Sequence, residues 1–317
     1  MRYFYAFEAG PDGPVVRALP PRRWQTVLSA LMQLRRVSIV GVGLLGGSIG
    51  LALRERMPGC QVVGYGHRAS TLIEAMRSGA LDEAHEDLPA AVRDADLVVL
   101  CAPVGLLATL LREMSPHLSQ GTIVTDVGST KRGIVRAAEE LLPAGVHFVG
   151  SHPMAGSEKR GVRFARADLF DRAVCIMTPT DQTDASALGK VEAFWKLLGM
   201  RLTRLSPAEH DRLLADVSHL PHVVAAALVG MQEEVAFDLC GKGFLDVTRI
   251  AGGDGGLWRD ILLDNRDNVL ASIKRLNEQL RELEVLLEAR QPETLEAWLR
   301  TASERRQQML ERRDSGE

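Results

Sequence analysis

The sequence predicts an α/β fold in which a doubly wound parallel sheet is followed by an all-α domain. Short apolar segments alternate with helical segments between residues 36 and 180, a pattern typical of parallel sheets covered by helices on both faces. A glycine-rich turn joins the first of these strands to its helix. Beyond about Thr180 the strand pattern fades and helical periodicity takes over.

Four buried strands are predicted from short apolar runs, at 37–40, 61–65, 96–101 and 122–125. Helices are predicted at 44–56, 71–77 and 187–198, through most of 207–232, and from Asp260 to the C-terminus. We therefore expect three parts: an N-terminal appendage at 1–35, a sheet domain at 36–180 and a helical domain at 181–317.

The appendage differs in character from the rest of the chain. Tyr3, Tyr5 and Phe7 alternate with other residues, and the glycines and prolines of 10–14 then interrupt the pattern. This composition predicts either an extra strand or a partly ordered arm.

Composition limits the possible partners. The chain has 317 residues, 46% hydrophobic content and a net charge of −3, so its surface as a whole is not suited to nucleic acid. Its four cysteines lack zinc-site or CxxC spacing, which predicts no metal and a reducing compartment. No signal peptide and no run of about 18 apolar residues is seen. We expect a cytoplasmic protein with no membrane partner.

One long helix carries a heptad-like apolar seam. Its members are spaced alternately four and three residues apart, and they are Val269, Ile273, Leu276, Leu280, Leu283 and Leu287. The seam is compatible with an internal core helix, but it favours packing against a second copy. We predict a homodimer formed through the C-terminal helical domain.

The glycine-rich turn, residues 41–46, directly follows an apolar strand and opens a helix. This is the arrangement by which a Rossmann-type fold binds a dinucleotide. Gly41 allows the tight turn, Gly43 lets the backbone approach the pyrophosphate, and Gly46 lets the helix and strand pack closely. The pyrophosphate then meets the free N–H groups at the helix N-terminus. Leu44 and Leu45 complete the predicted contacts of this turn.

The end of the second strand indicates which dinucleotide is bound. NAD sites place an acidic residue there for the ribose 2′-hydroxyl, but Gly66 stands at that position. Four polar residues follow that could hold a 2′-phosphate, with Arg68 supplying the charge; they are His67, Arg68, Ser70 and Thr71. We predict NADP, with NAD as the alternative. Pro103, after the third strand, is also predicted to contact the cofactor.

Six segments, the first of which contains the glycine-rich turn, share a family resemblance. They are GVGLLGGS at 41–48, DVGSTK at 126–131, HPMAGSE at 152–158, SHLPH at 218–222, DVTRIA at 246–251 and LWRDI at 257–261. In this order they closely resemble the prephenate dehydrogenase family, which includes the arogenate and cyclohexadienyl dehydrogenases. The family fold is a Rossmann domain followed by a helical dimerisation domain, in agreement with the pattern above.

The resemblance implies a reaction and two catalytic residues. Prephenate would give a hydride to NAD(P) and lose its ring carboxylate as carbon dioxide, yielding 4-hydroxyphenylpyruvate for tyrosine biosynthesis. His152 matches the family histidine that accepts the hydroxyl proton, a role suited to a neutral imidazole. Ser129 matches the serine that hydrogen-bonds the same hydroxyl.

The resemblance also implies a substrate-binding set. Arg249 matches the arginine that binds a substrate carboxylate, which a guanidinium can do bidentately, and Asp246 is placed to orient it. His219 and His222 face one side if their helix continues through Pro221, and the second matches a histidine that faces the substrate.

Two further residues match family positions near the substrate gate. They are Glu158 and Trp258, and Trp258 could equally be a core aromatic.

Several alternatives remain open from the sequence. Within the family, the substrate could be arogenate, or the enzyme could accept both compounds. His222 favours prephenate, whereas the missing acid at Gly66 favours arogenate, because many arogenate enzymes prefer NADP. A β-hydroxyacid or imine reductase would be expected to carry a catalytic lysine near the domain junction instead of these motifs. A non-catalytic NAD(P)-sensing protein is disfavoured, since Ser129, His152 and Arg249 are all present.

Overall fold

The computed structural model describes residues 5–10, 13–18, 34–156 and 159–315. Its contacts divide the chain into two compact units. One consists of Met1–Val27 with Leu270–Glu317, and the other is Leu28–Val269. The predicted site residues that the structure describes all fall within the second unit.

Ten strands are present among the described residues. In chain order, β1 to β10 are Tyr5–Gly10, Gly13–Ala18, Arg36–Val40, Gln61–Tyr65, Glu83–His85, Leu97–Leu100, Ile123–Asp126, His147–Pro153, Val174–Thr178 and Arg201–Arg204. β1 and β2 pair antiparallel, with Tyr5 opposite Ala18, so the N-terminal appendage does contain strand. The four predicted buried strands are confirmed as β3, β4, β6 and β7.

Thirteen α-helices are present among the described residues. In chain order, α1 to α13 are Leu44–Arg56, Ala69–Arg77, Leu88–Val92, Val104–Met114, Arg132–Leu141, Ala185–Leu197, Pro207–Leu214, Leu220–Gly230, Glu234–Phe237, Lys242–Thr248, Gly255–Asp264, Arg266–Glu288 and Pro292–Ser315. A π-helical turn, Ala215–His219, joins α7 to α8, and a 3-10 turn, Arg249–Gly252, follows α10. The mainly helical second half is thereby confirmed.

Strands β3 to β10 form one eight-stranded sheet in the order β10-β9-β8-β7-β6-β3-β4-β5. All neighbours are parallel except β8 and β9. The chain winds outward from β3 in one direction through β4 and in the other through β6. The carboxyl ends of β3 and β6 therefore flank a topological switch point, where doubly wound sheets bind their ligands.

The sheet extends past the predicted domain boundary at residue 180. Its last strand, β10, has the sequence Arg-Leu-Thr-Arg and is largely exposed. An edge strand with charged ends lacks the apolar run that marks a buried strand. The apolar pattern therefore fades before the sheet itself ends.

The segment Pro207–Gly230, which spans α7, the π-helical turn and α8, is long and apolar enough to cross a membrane by length and composition. It nevertheless carries four buried ionisable side chains, His210, Asp211, His219 and His222. Three of them hydrogen-bond to other residues of this unit. Buried and hydrogen-bonded ionisable groups are characteristic of a helix that builds a site inside a protein, which is how we interpret this segment.

Candidate active site

The glycine turn at the end of β3 has a geometry that other residues would disrupt. Gly41 has a φ of +103°, and a Cβ atom there would lie 2.9 Å from the carbonyl carbon of Cys101. A Cβ atom on Gly46 would lie 2.3 Å from the oxygen of Gly41. Gly43, by contrast, faces open space, since no atom of the described residues lies within 4 Å of a Cβ atom placed there. The turn is therefore tightly packed at Gly41 and Gly46 and accessible at Gly43.

The N-terminus of α1 is available to an anion. Gly43 is its N-cap residue, no side chain caps the helix, and no acidic residue lies in its first turn. Leu44 and Leu45, both half-buried, are the first two helical residues. The unused N–H groups and the helix dipole therefore point toward the open space beside Gly43. The geometry of these residues is compatible with a dinucleotide pyrophosphate, and their contact with it stays a prediction.

The residues beyond β4 are placed at the same edge of the sheet. His67, Arg68 and Ser70 are exposed and Thr71 is half-buried, and Arg68 is the N-cap residue of α2. Pro103 is exposed and precedes α4 on the other side of the switch point. The five predicted residues therefore lie on accessible backbone around the carboxyl ends of β4 and β6.

His152 lies near the carboxyl end of β8 and is buried, with 7% of its surface exposed. Its Nδ1 atom lies 2.8 Å from Nε2 of His210, and Nδ1 of His210 lies 2.8 Å from Oδ1 of Asp211. Asp211 in turn accepts hydrogen bonds from the main-chain N–H groups of Lys131 and Arg132, at 2.7 and 2.9 Å. A continuous chain of hydrogen bonds thus joins β8, the start of α7 and the start of α5.

A second buried group lies beside His152. The Nζ atom of Lys131 pairs with Asp126 and donates to the carbonyl of Ser151 at 2.9 Å, and both charged side chains are fully buried. Asp126 also accepts from the main-chain N–H groups of Gly128 and Ser151. These contacts hold the turn that carries Ser129 against the strand that carries His152.

Ser129 itself is half-buried and follows β7, the neighbour of β8. Because parallel strands end at a common edge of the sheet, Ser129 and the glycine turn lie at the same edge. The sequence-based placement of Ser129 beside the cofactor edge agrees with this topology. Its hydrogen bond to substrate stays a prediction.

The π-helical turn before α8 shapes the helical side of the site. An inserted residue of this kind rotates the following helix and is frequent at functional sites. The helix continues through Pro221, and both His219 and His222 are buried. Asn265 donates to Nδ1 of His219 at 3.1 Å, so His219 carries its proton on Nε2. That atom is buried and has no hydrogen-bond partner among the described residues.

Trp258, on α11, stacks on His222 with ring centroids 3.6 Å apart and an interplanar angle of 10°. The indole is half-exposed, so it is no simple core aromatic. Nδ1 of His222 is buried and has no partner within the described part of the chain. The two rings form one wall that includes an unused polar atom.

The remaining predicted residues lie in the same unit. Asp246 is exposed on α10, and Arg249 is exposed at the start of the 3-10 turn that follows. The interaction expected between them stays a prediction. Glu158 lies outside the residues that the structure describes.

Burial controls the protonation of the histidines. It is the main cause that lowers the pKa of His152 well below 6.5, and the neighbouring His210, Lys131 and His219 act in the same direction. Burial likewise lowers the pKa of His210, against the opposing effect of Asp211, and lowers that of His219 to about 4. Burial would raise the pKa of Asp211, but its hydrogen bonds overcome this and lower it. Around neutral pH the three histidines are neutral and the carboxylate is charged.

These histidines predict a loss of stability in mild acid. Unfolded histidines take up protons as the pH falls below 6.5, the ordinary value, while His219 stays neutral to about pH 4. The free energy of unfolding should therefore fall between these two values, by about 1 kcal/mol per pH unit for each neutral buried histidine. Urea unfolding at pH 7.5, 6.5 and 5.5 measures this slope. The variant His219→Gln should show a shallower slope, and an unchanged slope would contradict the assignment.

Three residues of this network were not anticipated from the sequence as site residues. His210, Asp211 and Lys131 are all nearly or fully buried. The only sequence signal for the first two is an adjacent histidine and aspartate just after the Ser206–Glu209 capping box. Lys131 belongs to the DVGSTK segment, yet its position within that segment does not reveal that it is buried.

Comparison with known proteins gives two family-model matches. Residues 49–204 match the model described as prephenate dehydrogenase, nucleotide-binding domain, and residues 206–301 match prephenate dehydrogenase, dimerization domain.

Individual relatives agree with these models. A prephenate dehydrogenase of Bacillus subtilis (strain 168) is 35% identical over 280 residues, which cover 85% of this chain and 75% of that protein. The structure of prephenate dehydrogenase from A. aeolicus, in complex with hydroxyphenyl propionate and NAD+, superposes with a TM-score of 0.82 at 34% identity, covering 87% of this chain and 99% of that one. Synechocystis arogenate dehydrogenase gives a TM-score of 0.75 at 32% identity, with coverages of 86% and 99%.

Proposed function

The chain belongs to the prephenate dehydrogenase family, and we propose that its substrate is prephenate, which it oxidises and decarboxylates to 4-hydroxyphenylpyruvate. It is an oxidoreductase that uses NAD(P), and the product serves tyrosine biosynthesis. The observation that carries the substrate chemistry is the buried, neutral His152 at the sheet edge that also bears the glycine turn. A neutral imidazole at that place can accept a proton from a substrate hydroxyl.

The hydroxyl proton of the substrate is removed and later returned in this reaction. When bound, the nicotinamide supplies the acceptor for the hydride that leaves the hydroxyl-bearing ring carbon. His152 takes the hydroxyl proton as the carbon–oxygen double bond forms. The bond between the ring and its carboxylate then breaks, carbon dioxide leaves, and the electron pair makes the ring aromatic. His152 returns the proton to the resulting phenolate oxygen, so no net proton is taken up or released.

The other side chains bind and orient the substrate in this proposal. Arg249 holds a carboxylate, with Asp246 beside it, and Ser129 hydrogen-bonds the reacting hydroxyl. His219 donates from its buried Nε2–H group, which has no acceptor among the described residues. The stacked pair of His222 and Trp258 forms an aromatic wall that restricts water.

Steady-state kinetics with purified protein test the proposal. Prephenate and arogenate are each supplied with NAD and with NADP, while reduced cofactor and the aromatic product are quantified. We expect the largest kcat/KM with prephenate. Preference for arogenate would reassign the substrate within the family, and the resemblance to Synechocystis arogenate dehydrogenase makes that arm necessary. A folded protein that binds cofactor but turns over neither compound would instead be a sensing protein.

We propose NADP as the preferred cofactor, because the position after β4 has a glycine where NAD sites place an acid and exposed cationic and hydroxyl groups follow. Replacing Arg68 with Gln should reduce the NADP/NAD ratio of kcat/KM by roughly tenfold or more, since a charge-assisted phosphate contact is lost. Arg77→Gln, at the far end of α2, is the matched control and should leave the ratio unchanged. An unaltered ratio in Arg68→Gln would assign cofactor choice to another group.

A homodimer formed through the helical half is the proposed assembly. The matching family model is a dimerization domain. Only 28% of the apolar window of Pro207–Gly230 is buried within one chain, and the large exposed apolar side chains of the second half include Val217, Met231, Leu239 and Val247. Such a surface is typical of a face covered by a partner. Sedimentation should give twice the mass of the chain.

The four cysteines are all free thiols. Free thiols fit a reducing compartment, and we therefore propose that the protein is cytoplasmic.

A further inference from the structure

We propose that His210 and Asp211 are positioning residues that hold His152 in the one tautomer able to accept the substrate proton. The inference rests on the proposed proton-accepting role of His152. It adds a function for two buried residues that do not belong to any of the family-like segments.

The argument begins at the carboxylate. Asp211 is charged, because hydrogen bonds from His210 and from the main chain lower its pKa. A carboxylate accepts hydrogen bonds and cannot donate them. The 2.8 Å contact between Oδ1 of Asp211 and Nδ1 of His210 therefore requires the proton to lie on Nδ1 of His210.

The tautomer of His152 follows from that of His210. Since His210 is neutral with its proton on Nδ1, its Nε2 atom bears a lone pair and must accept. Its partner, 2.8 Å away, is Nδ1 of His152. His152 therefore donates from Nδ1–H and keeps Nε2 unprotonated. Nε2 is then the atom that can receive the hydroxyl proton.

Asp211 is itself held rigidly. Its two oxygens accept from the main-chain N–H groups of Lys131 and Arg132 at the start of α5, and Asn265 donates to its carbonyl at 2.7 Å. The capping box of Ser206 and Glu209 fixes the first turn of α7, directly before His210. Turning His210 over would break both of its buried hydrogen bonds, and turning His152 over would break its hydrogen bond to His210.

The hydrogen bonds that link His152, His210 and Asp211 also bear on the protonated form of His152. The imidazolium would keep donating from Nδ1 to His210, whose far side faces the negative charge of Asp211. The other charged or titratable groups that act on His152 are Lys131, which is paired with Asp126, and His219. Lys131 disfavours a positive charge on His152, and Asp211 is the carboxylate at the far end of the hydrogen-bonded chain.

The first measurement needs no turnover. In protein with 15N-labelled histidine rings, the two nitrogens of His152 have distinct shifts, and loss of signals in His152→Asn assigns them. We expect a protonated Nδ1 and an unprotonated Nε2 near neutral pH. A His152 protonated on Nε2 would overturn the inference even if the enzyme oxidises prephenate. Conversely, absence of prephenate turnover with the expected tautomer would count against the proposed function and leave the tautomer assignment intact.

Two variants of His210 separate positioning from packing. His210→Gln places an amide oxygen where Nε2 stood and can still accept from His152. His210→Leu fills similar space and cannot. The His210→Leu variant should lower kcat by roughly 10²-fold and change the acid limb of the kcat–pH profile. Its KM and its affinity for the cofactor should change by less than about threefold. The His210→Gln variant should have a kcat at least about tenfold higher than that of His210→Leu.

A control and a contrary result complete the test. His147→Gln, at the opposite end of β8, should retain the kcat and pH profile of the unmodified enzyme. Equal kcat losses in the Gln and Leu variants, with an unchanged pH profile, would show that His210 acts through packing alone. If His210→Leu does not fold, the Gln variant and the nitrogen shifts of the unmodified protein still decide the question.

Discussion

Replacing His152 with Asn is expected to lower kcat by roughly 10²–10⁴-fold, with little change in affinity for the dinucleotide. The amide nitrogen of Asn can still donate to His210, so the buried chain to Asp211 keeps its first hydrogen bond. The amide has no basic nitrogen to accept the substrate proton. The substitution therefore removes the chemistry while disturbing the packing little.

The measurement is steady-state turnover of prephenate combined with direct titration of the cofactor. Cofactor affinity should stay within about threefold, because the glycine turn follows β3 and His152 lies on β8. His147→Gln serves again as the control on the same strand. An effect confined to KM would show that His152 binds substrate and that another group accepts the proton.

The sheet could be predicted from sequence because its signals are local. The strands β3, β4, β6 and β7 are short apolar runs with buried side chains, and the glycine turn follows β3 without a gap. The four predicted strands did not include β5, β8, β9 or β10. β10 was missed because its sequence, Arg-Leu-Thr-Arg, has charged ends and lacks an apolar run. Local pattern reports burial, and an exposed edge strand has little of it.

The site was predicted only in part, because sequence signals are local. His152 lies in the HPMAGSE segment, whose residues together indicate the family. Its hydrogen-bond partner His210 is 58 positions away in the sequence. Only the folded chain brings the start of α7 against β8. The tautomer of His152, which decides whether it can act as a base, is therefore a tertiary property that the motif around it does not contain.

Folding and chemistry depend on shared groups at this edge of the sheet. Asp211 serves as an acceptor for the start of α5 and for His210 at once. Lys131 and Asp126 hold the neighbouring turn against β8. Substitutions in this network are expected to reduce stability as well as turnover, because each removes a partner from a buried polar group. For that reason conservative replacements such as His210→Gln are more informative than alanine.

Arg249→Gln is expected to raise KM for prephenate by roughly 10- to 100-fold, the effect of losing a charge-assisted hydrogen bond to a carboxylate. kcat at saturating substrate should change by less than about threefold, since the carboxylate contact is present in both the bound substrate and the transition state. Arg249→Lys should give an intermediate KM, because an ammonium keeps the charge and loses the bidentate geometry. Initial rates over a wide range of prephenate concentrations separate the two parameters.

The matched control for this prediction is Arg266→Gln, an exposed arginine paired with Asp267 at the start of α12. It removes the same charge from the same unit and should leave KM unchanged, which excludes a general electrostatic effect on an anionic substrate. If KM is unchanged in Arg249→Gln, another group holds the carboxylate. His219 would then be the next candidate, because its buried Nε2–H group has no acceptor within the described residues, and a substrate oxygen would satisfy it.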